Sequence, residues 1–191
     1  MDVSQLLVRW SAGDPEALKD LAPFVYEELR RLSRSVMRQG GGQSVLQPTA
    51  LVHEAWLRMA AKEQMSVETR LQFYALAAKM MREILVDHWR RRKAAKRGGD
   101  QVMVPFDDAQ PVAKGRLVDF LVLDDAISRL GEIGPRYRQI VELRYMAGLT
   151  IEETAELLSV SHATVEREWK FARLWLRREL QPGREESTVD G

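Results

Sequence analysis

Two stretches of the chain carry side chains suited to a polyanion. The first is HWRRRKAAKR, residues 88–97, in which six cations follow an imidazole and an indole. Guanidinium and ammonium groups pair with phosphates, and aromatic rings stack on unpaired bases, so this composition suits a single-stranded backbone. A cationic run is also an ordinary way to complement the C-terminal end of a helix dipole, and Trp89 fits a core position equally well. The second stretch is GLTIEETAELLSVSHATVEREWKF, residues 148–171. It has the pattern of a short helix, a three-residue break and a longer helix, which is a helix-turn-helix with its second helix sized for a major groove. His162, Thr164, Arg167, Lys170 and Arg173 are expected to face outward from that helix, toward phosphates or base edges. Glu166 and Glu168 fit phosphate attraction poorly; they suit a cytosine amino group or plain solvent.

Other chemistries find no support. HEAWL, residues 53–57, begins like a zinc-protease helix, but Leu57 stands where the second histidine is required. The chain has no cysteine, and its three histidines, His53, His88 and His162, are far apart, so neither a metal nor a cofactor is expected. QGGGQS, residues 39–44, lacks the lysine and the strand context of a phosphate-cradling loop. No nucleophile lies beside a base in any recognisable pattern, and the chain is not expected to be an enzyme.

Periodicity indicates the elements that position these groups. Leu6, Leu7 and Trp10 line a short helix that stops at Gly13. Asp14 and Pro15 are a fitting N-cap and first residue for the next helix. Leu18, Leu21, Val25, Leu29, Leu32 and Val36 continue it, with Pro23 expected to kink or break it. A third helix begins at Pro48, with Leu51, Val52 and Ala55 pointing inward. A longer one spans about residues 70–96 and buries Phe73, Leu76, Ala77, Met80, Ile84 and His88. The segment 98–118 mixes Gly, Pro and Asp without periodicity and is read as a flexible linker. Beyond it, DFLVLDDAISRL and PRYRQIVELRYMAG are amphipathic helices, and Thr150 with Glu153 forms a capping-box pattern. Val165, Trp169, Ala172, Leu176 and Leu180 are the inner face of the last helix. With no strand pattern anywhere, the expected fold is all-α, as two small helical domains joined by a linker.

Charge divides along the same boundary. Residues 1–97 hold 17 Lys/Arg against 11 Asp/Glu, residues 119–191 hold 10 against 14, and the whole chain is at +1. A basic half beside an acidic half suggests two units with different electrostatic tasks. The N-terminus has no signal-peptide pattern and no run approaches the ~20 apolar residues that span a bilayer. A soluble, cytoplasmic protein is expected.

These segments, in this order, resemble the extracytoplasmic-function sigma factors of bacterial RNA polymerase. TALVHEAWLRM (49–59) resembles that family's helix for binding core polymerase, which would assign Leu51, Val52, His53, Glu54, Trp56, Leu57 and Arg58 to the polymerase. FYALAAKMMREILVDHWRRR (73–92) resembles its promoter −10 helices. By that likeness Lys79, Arg82, Glu83, Asp87, His88, Trp89, Arg90, Arg91, Arg92, Lys93, Lys96 and Arg97 would serve the −10 element, Glu83 standing where many relatives carry asparagine. RYRQIVELRYMAGLTIEETAELLSVSHATVEREWKFAR (136–173) resembles its −35 domain, with Ser161, His162, Thr164, Glu166, Arg167, Lys170 and Arg173 toward DNA. The resemblance implies residues 1–97 for polymerase binding, −10 recognition and melting, 98–118 as linker, 119–182 for −35 recognition, and 183–191 as a tail. It implies core RNA polymerase and promoter DNA as partners, and an anti-sigma protein as a regulator. The alternatives are a dimeric helix-turn-helix regulator that binds an operator without polymerase, and a DNA-processing enzyme such as a recombinase.

Overall fold

The computed structural model describes residues 2–39, 46–62, 66–95, 103–106 and 116–181. Lys96, Arg97, the tail from 183 and nearly all of QGGGQS therefore lie outside the described residues. Among those described there are eight α-helices, one π-helical turn and one pair of short strands.

Helix α1 (Val3–Ser11) ends before Gly13, whose φ of 93° is the left-handed conformation that a side chain disfavours. Asp14 then accepts the backbone N–H of Glu16 at 3.0 Å and opens α2 (Pro15–Gln39). Arg9 grips the same carboxylate and holds it below the usual carboxylate range. Contrary to the expected break, α2 runs through Pro23 without interruption. Pro23 and Phe24 lie on the exposed face, so the carbonyl that loses its partner there is open to water. Helix α3 (Pro48–Ala60) starts on its proline and buries Leu51, Val52, Ala55 and Met59. Ser11 both donates to the Val67 carbonyl at 2.7 Å and accepts from its N–H at 3.0 Å, pinning the approach to α4 (Arg70–Ala95) against α1.

Helix α4 departs from the single buried stripe expected of it. Phe73, Ala77, Met80 and Ile84 are buried as expected and Leu76 and His88 are half-buried, but Ala78, Met81, Arg82, Leu85, Val86 and Trp89 are buried too. The helix is covered on several sides, by α1 to α3 and by the helices that follow the linker. No one-sided pattern survives in a helix with neighbours all round.

Within the expected linker, β1 (Met103–Phe106) pairs antiparallel with β2 (Arg116–Asp119), Met103 opposite Asp119 and Phe106 opposite Arg116. Four-residue strands are too short for alternation to show, and Pro105 argues against a strand in the sequence. Asp119 then caps α5 (Phe120–Ile133), accepting from the N–H groups of Leu121 and Val122. Helix α6 (Pro135–Val141) does not continue as one α-helix. It passes into a π turn, Glu142–Met146, closed by Ala147 N–H to the Glu142 carbonyl at 3.0 Å. Gly148, with φ at 73°, turns the chain toward α7 (Ile151–Leu158). Both bonds of the capping box between Thr150 and Glu153 are present. Ser159 takes the left-handed conformation in the turn, and α8 (His162–Glu179) follows. One apolar cluster contains residues of α1 to α4 together with Phe120, Leu123, Ile127, Met146, Ala172 and Leu176; a small second one joins Ile140, Ala155 and Val165.

Candidate nucleic-acid interface

Helix α8 presents its first two turns to solvent. Ser161 accepts the Thr164 N–H at 3.2 Å and shares a 2.8 Å hydrogen bond with the Thr164 hydroxyl, so the helix starts cleanly. Ser161, His162, Glu166, Arg167 and Lys170 are exposed, and Thr164 and Arg173 are half-buried. Glu168 departs from the outward placement that the sequence suggests for it. It is buried, and Arg136 donates to it through Nε at 2.6 Å. That guanidinium holds its carboxyl below the usual range. Glu168 therefore ties α8 to α6 and is turned away from any base. Trp169 lies between two guanidiniums, Arg144 at 5.7 Å and Arg173 at 5.4 Å from its ring centre. Arg144 also donates to the Leu149 carbonyl, bracing the turn before α7.

The basic end of α4 is arranged differently. Lys79, Asp87, Arg90, Arg91 and Lys93 are exposed, while Glu83, His88 and Arg92 are half-buried. Arg82 and Trp89 are buried, only 4% and 5% exposed. Trp89 meets the edge of His88 and lies under Arg92, 5.6 Å from its ring centre. Of the two positions open to it, the indole occupies the core one and offers no free face to a base. Burial, with Arg91 and Arg92 adding to it, pushes the His88 imidazole down, so it adds no cation at neutral pH. Arg82 donates to Asp124 of α5 and, at 2.9 Å, to Glu142 of the π turn. Its expected place on a DNA-facing surface is thus corrected: it joins the two groups of helices.

On α3 the inward residues are those the periodicity indicates, which corrects the assignment of Leu51 and Val52 to the polymerase: both are buried in the core, leaving His53 exposed and Glu54, Trp56 and Arg58 half-buried. Leu57 is 68% exposed, a large apolar side chain standing in water. Arg58 spans from Glu54, at 3.2 Å, to Asp87 of α4, at 3.1 Å. Among the described residues, no three His, Asp or Glu side chains come together as a metal site would require, and no helix is long and apolar enough to cross a membrane.

A family model described as ECF sigma factor matches residues 1–182. The chain belongs to the ECF sigma factor family. Members of this family are transcription initiation factors that act with RNA polymerase on promoter DNA. No curated protein matches the chain. In this sigma factor the residues that escaped sequence reading are the partners: Asp124, Glu142 and Arg138 around Arg82, Arg136 against Glu168, and Arg144 beside Trp169. The one signal for them in the sequence is Asp124, a carboxylate that falls on the inward stripe of α5 between Leu123 and Ala126.

Proposed function

We propose that this sigma factor recruits core polymerase through α3, reads a −35 element in duplex DNA with α8, and engages and helps melt a −10 element with α4. The observation that carries this reading is the exposed face of α8. It places His162, Arg167 and Lys170 in water at the start of a well-capped helix, following a turn of helix-turn-helix form. Residues 1–97 and 119–182 act as two DNA-binding domains on either side of the 98–118 linker, each raising the effective concentration of the other at its box. Capturing an unstacked −10 base costs a few kcal/mol, offset by contacts to the exposed Lys79, Arg90, Arg91 and Lys93. Leu57 is the apolar anchor for polymerase, and an anti-sigma protein is the regulator that fits this class of factor.

Run-off transcription with purified core polymerase on a genomic fragment library tests the whole reading; discrete, sigma-dependent starts are expected. Leu57→Glu, at a site too exposed to disturb folding, should weaken core binding more than tenfold with an unchanged circular dichroism spectrum. Strong, sequence-specific duplex binding by the free chain, with no dependence on polymerase, would instead make it an operator-binding regulator.

A further inference from the structure

One apolar cluster is shared by the two groups of helices; α4 contributes Met80 and Ile84 to it, and the π turn contributes Met146. Beside that core the packing stops short. A cleft of about 320 Å³ lies between Ala75 and Leu76 of α4 and Leu143, Met146, Leu157 and Leu158 on its other side. Protein interiors are close-packed, with few voids larger than a water molecule, and a volume of this size is at the small end of ligand pockets. Leu76, Leu157 and Leu158 are only half-buried, so apolar walls are left in contact with solvent. Water held there finds few of the roughly two to four polar partners that make a buried water stable.

The polar groups lining the cleft are Lys79, Arg82, Gln139 and Glu142, and their charges are unevenly met. Glu142 already accepts from Arg82 at 2.9 Å and from Arg138 at 2.8 Å. Lys79, by contrast, is exposed and has no carboxylate within ion-pair distance among the described residues. Arg82 keeps its Nε–H buried without an acceptor. A donor in that state carries a desolvation cost that an incoming oxygen offsets. One unpaired ammonium balances one negative charge, whereas a doubly charged phosphate would set its second charge against Glu142. We propose that the cleft is a binding site for a small monocarboxylate with an apolar tail. The carboxylate sits on Lys79, toward the Nε–H of Arg82, and the tail lies between Leu76, Met146 and the leucines of α7. This site is independent of how α4 and α8 engage DNA.

Met146 lines the cleft and is one of eight methionines in the chain, so methionine-methyl NMR of the full-length protein is the readout. Met146→Leu assigns its signal. Hexanoate, heptanoate and octanoate should each move that signal saturably, while Met59, buried in α3, stays in place. Affinity should rise about fourfold with each added methylene until the cleft is full. Methyl octanoate, which has the tail without the charge, should bind at least tenfold more weakly, and Lys79→Gln should erase that difference. Ala75→Phe fills the cleft from the α4 wall and should abolish the shift; Leu157→Trp does so from the opposite wall if the first variant does not fold. A Met146 signal unmoved by octanoate below its micelle concentration overturns the site. So does octanoate binding unchanged in a folded, filled variant, or movement of all methionines together, which marks general adsorption. Equal binding of acid and ester by the wild-type chain overturns the carboxylate assignment.

Discussion

Helices α4 and α8 both carry rows of cations, yet the fold treats them in opposite ways. On α8, Arg167 and Lys170 are exposed, and Glu168 is turned inward and tied to Arg136, with Arg167 3.8 Å away at the edge of that pair. On α4, Arg82 is buried against two carboxylates, and Arg90 faces one of these, Asp124, together with a third, Asp125. Cations of the same kind in the sequence thus become exposed side chains in one helix and intramolecular adhesion in the other. Local charge counts do not distinguish these outcomes; what does is whether a carboxylate from a distant segment packs opposite.

The sharpest way to break this comparison is to remove one arginine from each helix. Arg82→Ala leaves Asp124 buried beside a void and should cost about 3 kcal/mol of stability in urea unfolding. Arg167→Ala removes an exposed side chain and should change stability by less than about 0.5 kcal/mol. Equal effects would erase the distinction. In promoter binding by the holoenzyme the weights reverse for Arg167→Ala, with a loss of about 1–3 kcal/mol and relaxed preference at one −35 position, seen in footprints on promoter libraries.

A finer test compares salt dependence. Replacing Arg90, Arg91 and Arg92 by alanine should lower the slope of log affinity against log salt by roughly 0.7–0.9 for each arginine that pairs with a phosphate. A smaller change than from a matched pair of α8 variants would mean that Arg92, held over Trp89, contributes to packing alone. Smaller still, Thr150→Ala removes the capping box of α7 and should cost about 1 kcal/mol, measured as a lower melting temperature. The least effect is expected from pH. Arg136 holds Glu168 below its ordinary 4.5, so the pair contributes stability that is present above about pH 5 and lost as pH falls through the folded-state value. Glu168→Gln should remove that part of the acid limb, leaving wild type and variant closest in melting temperature at the acid end of the series.

Helix starts, stops and caps were legible in the sequence because they depend on neighbours a few residues away. Asp14, Pro48, Pro135, Thr150 and Gly148 all act where their types suggest. The exposed face of α8 was legible for the same reason, since Val165, Ala172 and Leu176 define its inner side. What stayed hidden depends on distant partners. Nothing near Glu168 indicates Arg136, and nothing near Arg82 indicates Asp124, 42 residues on. Trp89 had two plausible places, and only the packing around it selects between them. The paired strands and the continuity of α2 through Pro23 were missed because both go against residue preference and are decided by tertiary context.

The π turn at Glu142–Met146 has a consequence for how this chain tolerates insertions and deletions. It accommodates one residue more than an α-helical turn of the same height. Deleting one residue of the five would therefore close an ordinary α-helical turn of the same height and leave the elements downstream close to their present facing. A residue removed from the regular α-helical part of α6 has no such slack, and everything after it would rotate by roughly 100° about the helix axis. Chain length thus has room to change at this turn and none in the helix that leads into it.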